Sequence, residues 1–116
     1  MNLKWNVDKI VSQKENTIYA YIENLCEYKG IEYYYEAKLI ENSFPQELID
    51  LCKDLYECVD SFSMVIADEI EDEIRKYQLR LKYNNTKIFR LEIKGDYVTF
   101  FTKYPTVNGF LDDYPE

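Results

Sequence analysis

Residues 7–28 read VDKIVSQKENTIYAYIENLCEY, and the fold class turns on whether they form a helix or strands. Val7, Val11, Ile18, Tyr21, Ile22, Leu25 and Tyr28 recur at spacings of three and four, the apolar stripe of an amphipathic helix, with Lys14 as its polar interruption. Asn6 offers an N-cap for a helix starting at Val7. Gly30 offers a C-terminal stop, because glycine enters left-handed backbone without steric cost. The competing reading makes residues 17–22 a strand; the stripe continuing to Tyr28 favours the helix.

Outward from there the period changes to two. Ile31, Tyr33, Tyr35, Ala37 and Leu39 alternate with Glu32, Tyr34, Glu36, Lys38 and Ile40, which predicts a strand with one covered face and Tyr34 on the charged side. Pro45 suits the first turn of a helix. Leu48, Leu51, Cys52, Leu55, Cys58 and Val59 would form its inner stripe, and Val65, Ile66, Ile70, Ile74 and Tyr77 that of a second helix. One helix over residues 45–76 would run about 48 Å, too long for a domain with a radius of gyration of about 13 Å. Asp60-Ser61-Phe62-Ser63 supplies residues for a break.

Three alternating runs follow, around Leu79/Leu81, Phe89/Leu91/Ile93 and Val98/Phe100. A two-residue Gly95-Asp96 turn sets Ile93 opposite Val98 and Leu91 opposite Phe100. A three-residue loop over residues 84–86 sets Leu81 opposite Phe89, so that all three strands share an apolar face. The predicted fold is therefore a single α+β domain spanning residues 1–116. It has an N-terminal helix, one strand, a helical pair and a three-stranded antiparallel β-meander, with the helices on one face of the sheet. Residues 104–116 read as an irregular tail pinned by Phe110 and Leu111.

Charge is concentrated in the chain. Between Glu41 and Glu73, eleven carboxylates against the one lysine, Lys53, leave −10, while the whole chain carries −8, so the remainder sums to +2. The sequence pI of about 4.6 argues against nucleic acid or anionic membrane as a direct partner, since phosphate recognition needs clustered Lys and Arg. It suits a basic protein, because opposite potentials speed encounter.

The chain contains no histidine, which removes the commonest general base and metal ligand and excludes Ser-His-Asp and Cys-His catalysis. Its three glycines form no phosphate loop, and the acidic run lacks the looped spacing of a calcium site. The expectation is a non-enzyme with no cofactor and no metal. The three cysteines read as small buried hydrophobes, and the leading residues lack the apolar core of a signal peptide; both point to a cytoplasmic protein. The longest apolar runs are only a few residues, so no membrane-spanning segment is expected.

Glu47, Asp50, Asp54 and Glu57, spaced three, four and three, form a carboxylate stripe on the first helix of the pair. Asp68, Glu69, Glu71, Asp72 and Glu73 form a denser block on the second. Like charges at these spacings cost a few tenths of a kcal/mol per pair, so the fold gains nothing from them. Tyr34, with Tyr56 and Tyr97, is a candidate aromatic anchor. These residues together predict a binding face for a cationic partner. The expected function is an immunity- or antitoxin-type inhibitor of a basic toxin such as a nuclease. The alternatives are a nucleic-acid mimic from a mobile element that blocks a DNA-binding defence protein, and a small structural or adaptor subunit.

Overall fold

In the computed structural model, which describes residues 7–61, 64–83 and 85–115, the stretch 7–28 is two strands rather than a helix. β1 (Asp8–Ser12) and β2 (Thr17–Glu27) pair as an antiparallel hairpin. Its turn ends at Asn16, which takes a left-handed φ of 51°. Asn6, Phe62, Ser63 and Asn84, used above for a cap, a break and a turn, lie outside the described residues, as do the side chains of Val59, Asp60 and Val65.

The composition fits the hairpin. Val7, Ile10, Val11, Thr17, Ile18 and Ile22 are β-branched and Tyr19 and Tyr21 aromatic, the residue types that pack best on a pleated surface. The helix-like spacing comes from bulges. The register slips between Ile10 and Val11, between Tyr21 and Ile22, and between Glu23 and Cys26. The first and third add a residue to β2 and interrupt its two-residue alternation; the second adds its residue, Ile40, to β3. Tyr19 and Ala20 are consequently both buried. Asn24, within the third slip, has φ 57°, a conformation asparagine tolerates better than most residues.

The rest of the chain adds β3 (Tyr34–Asn42), α1 (Gln46–Asp60), α2 (Met64–Arg75), β4 (Leu79–Leu81), β5 (Thr86–Lys87), β6 (Phe89–Lys94), β7 (Tyr97–Phe101), β8 (Tyr104–Thr106) and β9 (Gly109–Leu111). The first seven strands in chain order form one antiparallel sheet in the order β5-β4-β1-β2-β3-β7-β6; β8 and β9 form a separate hairpin. The described residues are therefore mostly β, a curled seven-stranded half-barrel with two helices, and not a helix-covered three-stranded meander.

The expected meander fails at the β4–β6 joint and loses register within β6–β7, where Leu91 does not face Phe100. The Gly95-Asp96 turn does pair Lys94 with Tyr97 and Ile93 with Val98. Beyond Glu92 a slip, with Arg90 at φ 53°, sets Phe89 opposite Phe101. β4 pairs with β5 and with β1, Ile10 facing Leu81 and Ser12 facing Leu79, rather than with β6. The pairing with β1 is invisible to any reading that makes residues 8–12 helical, since a helix offers β4 no backbone partner. β5 and β6 sit at opposite ends of the sheet order, yet only Ile88 separates them. The chain itself therefore draws the two edges together at one corner, which requires the curl.

One core joins the sheet and both helices. Ile10, Ala20, Ile22, Ala37, Leu39, Val98 and Phe100 from the strands meet Leu48, Cys52, Leu55, Ala67 and Ile74 from the helices. α1 begins directly after Pro45, and α1 and α2 pack against each other. Among the described side chains of α2 the buried ones are Ala67, Glu71 and Ile74; of the expected stripe, Ile70, Ile74 and Tyr77 face the core, whereas Ile66 is 53% exposed and Ala67 and Glu71 take its place inside. Cys52 alone of the three thiols is buried; Cys58 is half-buried and Cys26 exposed.

Candidate interaction surface

α1 presents Glu47, Asp50, Asp54 and Glu57 to solvent, and α2 presents Asp68, Glu69, Asp72 and Glu73. Burial of Leu48, Cys52 and Leu55 fixes the orientation of α1 and turns its carboxylate stripe outward. The two acidic patterns approach each other at one end of the helical pair. Tyr77, just after α2, brings its hydroxyl 3.3 Å from Glu47 at the start of α1. The Tyr77 phenol is shifted up first by desolvation and then by the charges of Glu47, Glu15 and Glu73. Glu15 comes from the β1–β2 turn and accepts a hydrogen bond from the Tyr19 hydroxyl. It joins the acidic surface without any signal in the helical segment. The neighbouring Glu73 is paired with Lys76 at 2.6 Å, an exposed i,i+3 contact.

Glu71 is different. It is 5% exposed and accepts a 2.7 Å hydrogen bond from the Tyr104 hydroxyl. Arg90 Nη2 lies 3.7 Å away, a Coulombic partner rather than a hydrogen-bonded one. Desolvation raises the Glu71 pKa, opposed by the Tyr104 bond and by Arg90. This carboxylate holds the fold together and is not offered to a partner. Around it, Arg90 stacks over Tyr104 at 5.4 Å and Arg75 over Tyr114 at 4.9 Å. Phe89 packs edge-on against both tyrosines.

The segment expected to be an irregular tail is thus a hairpin with an aromatic anchor on α2. Its firmest pins are Tyr104 and Tyr114 rather than Phe110 and Leu111, which are 37% and 40% exposed. Two tyrosines ten residues apart in a polar tail were the available signal, since a buried Tyr hydroxyl seeks a partner. No sequence spacing pointed to Glu71 as that partner.

Tyr34 is half-buried, stacked on Phe101 with ring centroids 4.3 Å apart. It shares a largely apolar groove of about 280 Å³ with Tyr56 and Leu55 of α1 and Leu91 of β6. The structure therefore brings Tyr34 and Tyr56 beside the end of the α1 acidic stripe. Tyr97 lies apart, at the β6–β7 turn. Among the described residues no three His, Cys, Asp or Glu side chains converge as a metal site, and no helix is long and apolar enough to cross a membrane. Comparisons with protein-family models, with curated proteins and with solved structures found no match to this chain.

Proposed function

We propose that this chain is a non-enzymatic inhibitor of the immunity or antitoxin type, which neutralises a basic toxin through the acidic surface of α1 and α2. The observation that carries the reading is the outward presentation of eight carboxylates on two packed helices. The Tyr77 hydroxyl bonds Glu47 and lies within the field of Glu73, so the two patterns approach each other at that end. The exposed ring of Tyr56 and the half-buried Tyr34 flank the stripe and supply apolar anchorage, which charge alone does not. A nuclease is the toxin class that fits, because a phosphate-binding cleft is lined with the Lys and Arg such a surface would oppose.

The test is capture of a cationic partner at ~0.05 M and at ~0.5 M salt, conditions that span strong and weak screening. Capture should be lost at high salt and in the variant D50N/D54N/E57Q/D72N/E73Q. Binding unchanged by those substitutions would move the interface elsewhere. A second reading, an adaptor subunit binding through its sheet, is favoured by an apolar groove lined by Val7, Tyr21, Ile40 and Tyr83. A dimer in size-exclusion chromatography that persists at high salt would support it over the first.

A further inference from the structure

Where the end of the chain crosses α2, three cations share one carboxylate. Arg75, Arg80 and Lys87 line a small polar cavity of about 150 Å³, together with Ile88, Asp113 and Tyr114. Lys87 forms an ion pair with Asp113. Neither guanidinium has a carboxylate partner among the described residues. Arg75 lies over the Tyr114 ring. Arg80 donates from Nη1 to the Asn85 carbonyl at 3.3 Å, and its buried Nε has no partner.

Within this cavity the lining sums to +2 in a chain of −8, while Arg75 also borders a second cavity, lined by Asp68, Glu71 and Asp72. Like charges gathered in a partly enclosed space repel more strongly than on an open surface, and a protein with twenty-two carboxylates had ample means to neutralise them. The last carbonyls of α2 do not absorb the charge. Those of Glu73, Ile74 and Arg75 accept from the N–H groups of Lys76, Tyr77 and Gln78 at 3.3, 3.0 and 3.1 Å.

Asp113 behaves as an occupant of this field. Its pKa is lowered, first by the hydrogen bond from Lys87, with the charges of Lys87 and Arg75 acting in the same direction. One carboxylate leaves most of the guanidinium donors unused, and an Arg fork matches the oxygens of a tetrahedral oxyanion in pairs.

The geometry points to a binding site for a small oxyanion of the phosphate class, formed by Arg75, Arg80 and Lys87 and partly occupied by the chain's own Asp113. The site lies on the tail-anchored side of α2, is independent of the acidic face, and does not rest on the proposed inhibitor function.

The probe is inorganic phosphate, titrated at constant ionic strength with chloride as the balancing salt. Backbone amide shifts of Arg75, Arg80, Lys87, Ile88 and Asp113 are followed by NMR. The expected result is saturable movement confined to those residues, weakened about tenfold or more in Arg80→Gln and Lys87→Gln. Lys38→Gln, on β3 outside the cavity, should match the wild type. Asp113→Asn should bind phosphate several-fold more tightly, because it removes the internal competitor, and this arm stands even if a cation variant fails to fold. Equal shifts with chloride alone, or unchanged or weaker binding in Asp113→Asn, would overturn the assignment.

Discussion

On α2, Asp68, Glu69, Asp72 and Glu73 stand in solvent, whereas Glu71, which shares a cavity with Asp68 and Asp72, is 5% exposed and bonded to Tyr104. The five side chains occupy six consecutive positions and belong to two chemically similar residue types. Helical periodicity separates them, since Glu71 falls four residues after Ala67 and three before Ile74, on the buried stripe. The exposed set repels itself weakly and is free to meet a partner. The buried one has its charge disfavoured by desolvation and answered by a phenol and a guanidinium. Carboxylate count along a helix therefore measures neither charge presented nor charge available.

The contrast can be broken by mutation. The largest effect should come from Tyr104→Ala, which removes a ring packed on Phe89 and Tyr114 and strips Glu71 of its donor. A loss of about 3–5 kcal/mol is expected, the range for truncating a buried aromatic, measured by urea denaturation. Tyr104→Phe keeps the ring and removes only the hydroxyl, leaving a buried acceptor unmet, so a loss of about 1–3 kcal/mol is expected. A neutral Tyr104→Phe would mean that the Glu71 bond contributes nothing.

Glu71→Gln sharpens the comparison through pH. The folded-state pKa of Glu71 is raised, so the folded protein holds this proton more tightly than the unfolded chain. The stability this proton confers is present below the ordinary carboxyl range and is lost as pH rises through the raised value. The amide does not titrate. The stability of Glu71→Gln relative to wild type should therefore climb with pH across that window and level off above it. Melting temperatures of both proteins across pH read this directly, and a constant gap would sink the argument.

The exposed side should respond least in stability. Asp50→Asn, Asp54→Asn and Asp72→Asn should each change it by only a few tenths of a kcal/mol, with relief of like-charge repulsion as the favourable term. Those changes should act on partner capture instead. A smaller contrast holds for the thiols: Cys26 is exposed, while burial lifts the Cys52 thiol to about 12. Brief treatment with iodoacetamide should label Cys26 and leave Cys52 untouched in the folded protein, as read by peptide mass spectrometry.

How far the sequence could be read differed between two hairpins of the main sheet, β6–β7 and β1–β2. At β6–β7 the Gly95-Asp96 turn and clean alternation through Ile93 and Val98 gave the right register as far as Glu92. At β1–β2 there is no glycine at the turn, and two bulges in β2, one against β1 and one against β3, scatter the buried residues into spacings that imitate a helix. In β3, the inward set Tyr35, Ala37 and Leu39 was legible, but not its place between β2 and β7, because alternation carries no information about neighbours. The outward stripe of α1 was legible from Glu47 to Glu57; the burial of Glu71 was not, since its partners lie nineteen and thirty-three residues further along the chain.

What the sequence determined by itself was local: two amphipathic helices after Pro45, the turn at Gly95, the concentration of negative charge in one segment and the absence of histidine chemistry. Tertiary structure decided that residues 8–27 are strands, because β1 completes its hydrogen bonding with β4, which follows some seventy residues later. It also decided which carboxylates face water and which one is enclosed, and it gathered Arg75, Arg80 and Lys87 around a single aspartate. The common reason is that backbone pairing and desolvation depend on what lies opposite in space, and period and spacing along the chain do not encode that.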